Sequence, residues 1–414
     1  MAWSVNNGYV TYSTNTGHQG AWVKFVEAPD FETLIDQVNS VLSLFGEGLG
    51  EYTPSDANAA TLETAKTAMQ NSGSVKFNEL NTYKALLDNA SLNLPKSGQF
   101  FRLKGVSGNY IDATSIYGNA NATTGQMSMK SGEQCNLAGT IFYLDAEKHL
   151  LNYATGTYVK QTREIGGVND AKGVWTFAES PRRGGKYALS CTTTDGAGGH
   201  LHDNQGNRAD RCSSNCGDRH DFTLEEVTEL PVAVSTVGYA TLHAPVALTI
   251  PTGVKAYTGT LNGEWLTLNE VSTTIPANTA VILEGAANTY NFAMTDDVDA
   301  IVGNNLVGTI ETVAKTGTVY TLQSHDFDVD GVKEGVAFKQ YTGTNLTGFK
   351  AYLVVENGAQ AIRVTRGDEE GTTSIDNAQL TIDNENVVIY DLAGRRVEQM
   401  EKGIYIVNGK KIVE

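Results

Sequence analysis

Phe100-Phe-Arg-Leu-Lys104 and, after a short polar break, Tyr110-Ile-Asp112 set the period of the middle of this chain. Apolar and polar side chains alternate at a period of two, which places every second residue on one face of a half-buried strand. The arrangement returns in Ile141-Phe-Tyr-Leu144 with Leu150-Leu-Asn-Tyr153. It returns again in Val174-Trp-Thr-Phe177 with Tyr187-Ala-Leu189, and Asp221-Phe-Thr-Leu-Glu-Glu226 closes the series. Three strand–turn–strand units in succession predict a β domain with internal threefold repetition.

Composition extends the β reading to most of the chain. Forty-three glycines and eighteen tyrosines in 414 residues suit short strands joined by turns, because aromatic side chains fit a pleated surface and glycine supplies positive φ. At roughly 150 residues per domain the length calls for about three units. With 47 acidic and 30 basic side chains the formal charge is −17, which repels polyanions, so nucleic acid is not an expected partner. There is no apolar run of about 18 residues, so no membrane-spanning helix is expected. Met1-Ala2 leads without a signal-peptide pattern into the strand-like Trp3-Ser-Val-Asn-Asn-Gly-Tyr-Val-Thr-Tyr12, and residues 1–29 read as the remnant of a preceding β domain, cut within a longer polypeptide.

Residues 30–96 interrupt the β pattern. Phe31, Leu34, Ile35, Val38, Leu42 and Phe45 recur at helical spacing before Gly46. Thr53-Pro54 offers a cap and a first-turn proline for a second helix carrying Leu62, Ala65 and Met69, and Leu80, Tyr83, Leu87 and Ala90 mark a third. A small helical spacer bundle is expected. Residues 229–370 return to strands, among them Val246–Ile250, Gly263–Leu268, Ala280–Leu283 and Lys350–Val355, with turns at the spacing of a β-sandwich-like module. Residues 371–414 form a short β tail containing Val387-Val-Ile-Tyr-Asp-Leu-Ala-Gly-Arg-Arg-Val397 and Gly403-Ile-Tyr-Ile-Val-Asn-Gly-Lys-Lys-Ile-Val413. Asn408-Gly409 is the dipeptide that a type I′ hairpin prefers. The fold class is therefore mainly β and multidomain.

Two stretches carry resemblances. The threefold pattern over residues 97–228 resembles the β-trefoil of ricin-type lectins, which implies carbohydrate binding. Ala21-Trp-Val-Lys-Phe-Val-Glu27 stands before the helices as Asp221–Glu226 stands before the next module, as a truncated copy of that fold would. The tail, with its strand into Asp391-Leu-Ala-Gly-Arg395 and its Gly403-Ile-Tyr-Ile-Val407 strand followed by a lysine pair, is similar to the C-terminal sorting domain of type IX secretion. That likeness implies export through the type IX machinery to the extracellular space or outer cell surface. The module at 229–370 looks like one that recurs near the ends of such secreted proteins.

The trefoil resemblance implies a sugar pocket made of an Asp, an aromatic platform and an amide, because hydroxyls need paired donors and acceptors while C–H faces need a flat apolar surface. Asp112 matches the Asp, Tyr117 can supply the platform and Asn136 the amide, although the family's Gln-x-Trp signature is absent. His202, Asp203, Asn204 and His220 form a second polar cluster in the third repeat. Against both stands the ordinary role of such residues as turn acceptors and solvated loops.

Cys135, Cys191, Cys212 and Cys216 all fall in the trefoil-like stretch, which suits disulfides in an exported domain. Of three connectivities, Cys212–Cys216 with Cys135–Cys191 is preferred. Zinc is the alternative, since His200, His202 and His220 lie close by, but the spacing fits no closed zinc pattern and no metal is assigned. Asp326-Phe-Asp-Val-Asp-Gly331 begins like a calcium loop, yet its twelfth position is Ala337, so a hairpin turn is expected. No phosphate loop, nucleophile elbow or His-Glu-x-x-His occurs. The expected function is a non-catalytic, cofactor-free accessory region that binds glycans. A purely structural spacer, or the targeting portion of an upstream glycosidase or peptidase, are the other readings.

Overall fold

The computed structural model describes the chain apart from residues 1, 7–8, 14–30, 73–76, 119–122, 192–198, 213–216, 264, 326–334, 356–360, 367–388, 392–395, 398–403, 408–409 and 414. The expectations for Ala21–Glu27, Cys216, the loop from Gly371, Asp326–Gly331 and the Asn408-Gly409 turn lie outside the described residues. Strands dominate, three helices interrupt them, and two compact units divide the chain at Val364–Thr365. Among the described residues no helix is long and apolar enough to cross a membrane.

The repeat stretch builds eleven strands: β1 (Phe100–Lys104), β2 (Tyr110–Ile116), β3 (Gly125–Lys130), β4 (Ile141–Leu144), β5 (Leu150–Asn152), β6 (Glu164–Ile165), β7 (Trp175–Glu179), β8 (Tyr187–Cys191), β9 (His200–Asn204), β10 (Arg208–Cys212) and β11 (Thr223–Glu226). Six of them close a circuit. β1 pairs β4 (Phe101↔Phe142), β4 pairs β5 (Phe142↔Asn152), and a bridge His149↔Val174 passes the circuit to β7. β7 pairs β8 (Phe177↔Leu189), a bridge Tyr187↔Phe222 reaches the start of β11, and β11 returns to β1 (Leu224↔Leu103). Closure removes the open edges that a flat sheet would present. The alternation of β1 points Phe101 and Leu103 inward with Phe142, Leu144, Leu189 and Leu224, all buried in one core. Phe101 meets Phe177 edge to face at 5.7 Å between ring centres.

The remaining strands form three hairpins: β2 with β3 (Ile111↔Met129), the Val159↔Ile165 bridge, and β9 with β10 (Leu201↔Arg211). They meet on β3, which touches β10 at Ser128↔Arg208 and β6 at Gln126↔Glu164.

Helices α1 (Phe31–Leu42), α2 (Asp56–Ser72) and α3 (Phe77–Asp88) pack Val38, Leu42, Leu62, Tyr83 and Leu86 into the same core as the six-strand circuit. α2 starts later than the Thr53-Pro54 signal suggests. Asn58 and Ala59 donate to the Ser55 carbonyl, while Tyr52–Thr53 is drawn out to pair with Ser91–Leu92. Tyr52 then donates its hydroxyl to Glu179 Oε1 at 2.6 Å and accepts from Gly185 N–H. Arg183 closes the other end, its guanidinium donating to the carbonyls of Leu87 (2.7 Å) and Asp88 (3.1 Å) at the α3 C-terminus, where orphan carbonyls attract a cation. A Cβ on Gly185 would stand 2.3 Å from the Gly50 carbonyl oxygen, so only glycine permits this approach.

Beyond β11 lie a four-stranded and a nine-stranded sheet. Leu230, Leu248 and Phe292 of the first share a core with Ala256, Val281 and Leu283 of the second. That core also takes in Phe100, Ile141, Leu151 and Tyr153 from the outer face of the circuit. Tyr153 lies 4.8 Å from Phe349 between ring centres and donates its hydroxyl to the Pro231 carbonyl. Its burial pushes the phenol pKa up. Residues 365–414 form the second unit, whose antiparallel sheet runs Arg396–Val397, Ile389–Asp391, Ile404–Val407, Lys410–Val413, with Tyr390 opposite Ile406.

The favoured Cys135–Cys191 bridge is not formed, and both residues are thiols. Cys135 sits in the loop after β3 near Arg102, whereas Cys191 ends β8 opposite Trp175 in a different repeat. Cys212 is disulfide-bonded. Alkylation of the unfolded, unreduced chain followed by peptide mass spectrometry should label Cys135 and Cys191 and leave Cys212 unlabelled.

His243, whose ring Nδ1 is buried without a hydrogen-bond partner, has its pKa lowered by burial. A depressed histidine stays neutral in the folded state while the unfolded chain takes up a proton near pH 6.5, so its contribution is full above that value and is lost as pH falls below it. Denaturant titrations between pH 7 and 5 should therefore show falling stability, with a shallower fall in His243→Phe.

Candidate functional site

A cleft of about 810 Å³ opens beside the hairpin cap, lined among others by Asn109, Tyr117, Lys130, Ser131, Gln134 and Asn207. Tyr117 follows the end of β2, is 44 % exposed, and has the Arg208 guanidinium 5.0 Å from its ring centre. Arg208 is held there by Asp210, whose Oδ2 accepts from its Nε (3.0 Å) and Nη2 (2.9 Å). A rigid aromatic with one open face, backed by a fixed cation and ringed by amides and hydroxyls, can stack against an apolar ligand face and bond its polar edge. Among the described residues no Asp or Glu lines the cleft.

Asp112 and Asn136 lie beneath this surface in a different role. Asp112 is 2 % exposed, and its carboxylate accepts from Thr114 N–H (2.9 Å), the Thr114 hydroxyl (2.6 Å) and Asn136 N–H (2.9 Å). It therefore ties the β2 strand to the loop after β3. Gly139 must be glycine here, since a Cβ would fall 2.3 Å from Asp112 Oδ1. Asn136 contributes its backbone N–H to that tie and leaves its side chain exposed.

The third-repeat residues also divide. Asp203 is fully buried, and its two oxygens accept from Gly206 N–H (2.7 Å) and Ser107 N–H (2.8 Å). One carboxylate thus pins the β9–β10 turn to the β1–β2 turn, and Asn109 adds a bond from its amide to the Gly206 carbonyl. Asn204 donates to Asp210 at 3.0 Å. His202 and His220 join His200, with ring centres 6.1 Å (His202–His220) and 4.9 Å (His200–His220) apart. Burial lowers the pKa of both His202 and His220, with Arg219 adding to the first and the neighbouring histidines and Arg182 to the second.

Among the described residues, Asp145, Glu147 and His149 bring ligand atoms within 4.8 Å of one another, which the three histidines do not. Asp145 is occupied by its own turn, accepting from His149 N–H at 2.7 Å with His149 Nδ1 2.9 Å from its second oxygen.

Sequence reasoning selected Tyr117 but passed over Asn109, Lys130, Ser131, Gln134 and Asn207. These are scattered polar turn and strand-end residues, and no spacing distinguishes them from solvated loops until the hairpins meet. Replacing Asp203 with Ala, which strands two backbone donors in the interior, should destabilise the first unit by about 2–3 kcal/mol, whereas Tyr117→Ala should stay within about 0.5 kcal/mol. Urea unfolding of both variants measures this. No protein-family model and no curated protein matches this chain, and what the cleft binds is argued from its own geometry.

Proposed function

We propose that residues 97–228 form a β-trefoil of the ricin type that binds a glycan through the Tyr117 cleft, within a non-catalytic part of a secreted or cell-surface protein. The observation that carries this reading is the exposed Tyr117 ring beside a polar cleft of about 810 Å³. A six-strand circuit with three hairpins meeting on one strand supports the fold assignment. The sandwich-like module, as far as Val364, packs against it as a supporting body. Residues 371–414 act as the type IX sorting signal, supported by a four-stranded sheet within a unit of its own.

The second reading is a structural module without a ligand. It is favoured by the full commitment of Asp112 and Asp203 to backbone N–H groups, which leaves no carboxylate for sugar hydroxyls. A glycan array at neutral pH separates the two. Binding to a defined set of glycans, weakened at least about 10-fold in Tyr117→Ala through loss of aromatic stacking, supports the lectin. Uniform silence leaves the structural module. For the tail, deletion of residues 374–414 in the native host should hold the protein in the periplasm while the melting of the first unit stays unchanged. Normal surface display of the truncated chain would overturn the sorting role.

A further inference from the structure

His200 and His202 stand two apart on β9, and the period of a strand puts both on one face. His220 reaches that face from the short 3-10 helix Gly217–His220. Three of the chain's seven histidines thereby meet in one place. Two ring nitrogens there, His200 Nδ1 and His220 Nε2, are buried with no hydrogen-bond partner among the described residues. An imidazole nitrogen removed from water without a partner costs free energy that a fold normally recovers by a hydrogen bond, a bound water or a ligand.

We propose that His200, His202 and His220 form a binding site for one borderline divalent cation of the zinc class. Imidazole nitrogen suits Zn²⁺, Cu²⁺ and Ni²⁺, and three imidazoles are enough to hold zinc while leaving a fourth position open. Zinc–nitrogen bonds of about 2.0–2.1 Å place the centres of two imidazoles on one tetrahedral ion roughly 5 Å apart. The stacked His200 and His220 rings stand at that spacing, 4.9 Å between centres, but the nitrogens of the three residues do not all lie within 4.8 Å of one another, so the rings must turn and His202, 6.1 Å from His220, must close before all three bind one ion. The nearby carboxylates are already occupied. Asp210 accepts from Asn204 and Arg208, and Asp221 from Ser180 (2.5 Å) and Arg182 (3.1 Å). The site is therefore a neutral nitrogen site rather than an oxygen site for Ca²⁺ or Mg²⁺. It is independent of the glycan reading, since Tyr117 and the cleft lining contribute no ligand.

Calorimetric titration of the full chain with ZnCl₂ at pH 7.4 should reveal one saturable site. Affinity should fall at least about 10–100-fold in His200→Gln and His220→Gln, and stay unchanged in His149→Gln and His243→Gln. Co²⁺ should give visible absorption bands of a low-symmetry nitrogen site that disappear in His202→Gln, which tests the proposal even where His220→Gln proves unfolded by circular dichroism. Absence of saturable zinc binding, an affinity unchanged from the wild type in the His200 and His220 variants, or loss of binding in His149→Gln instead would each overturn it.

Discussion

Pairing of β11 with β1 is the contact on which the molecule depends, because it returns the chain to its starting strand after about 120 residues and closes the circuit. An open sheet of the same strands would leave Phe101, Phe142 and Leu224 with one face in water. Once closed, the circuit buries them together. The helices and the sheets that follow are attached to its faces. The helices cover one side through Tyr52 and Arg183, and the following sheets cover another through Phe100, Tyr153 and Phe349. The result is one compact unit through Val364 instead of modules on a string.

Buried carboxylates organise the cap above that circuit. Asp112 and Asp203 each collect backbone N–H groups from two separate segments. Backbone donors in a turn must be satisfied when water is excluded, and a carboxylate with several lone pairs does so at a single point. These residues decide where the hairpins stand, and so where Tyr117 and the histidines are presented. Their work is positioning. Among the surfaces presented this way are the cleft at Tyr117 and the imidazole cluster on β9.

How much was legible in the chain differs by level. The strands at Phe100–Lys104, Tyr187–Cys191 and Trp265–Val271 and the helix at Phe31–Leu42 follow from local periodicity, which depends on neighbours two to four residues away. The start of α2 did not follow. Tyr52 is recruited into a strand by Leu92 and into a hydrogen bond by Glu179, partners 40 and 127 residues distant. The Cys135–Cys191 half of the expected pairing failed for the same reason, since no local pattern says which repeat faces which.

The sequence by itself determined a β-rich chain with a threefold strand pattern, an acidic surface and a separate β tail, because alternation, charge and turn chemistry are local properties. It also pointed to Asp112, Tyr117 and the His202–Asn204 segment as candidate glycan contacts. Only the tertiary structure decided what each one does. Asp112 and Asp203 turned inward because backbone donors converge on them, Tyr117 stayed outward because the cap leaves its face uncovered, and His200 met His220 because β9 and the 3-10 helix pack together. Such outcomes depend on contacts between residues far apart in the chain, and no local pattern encodes which of them will meet.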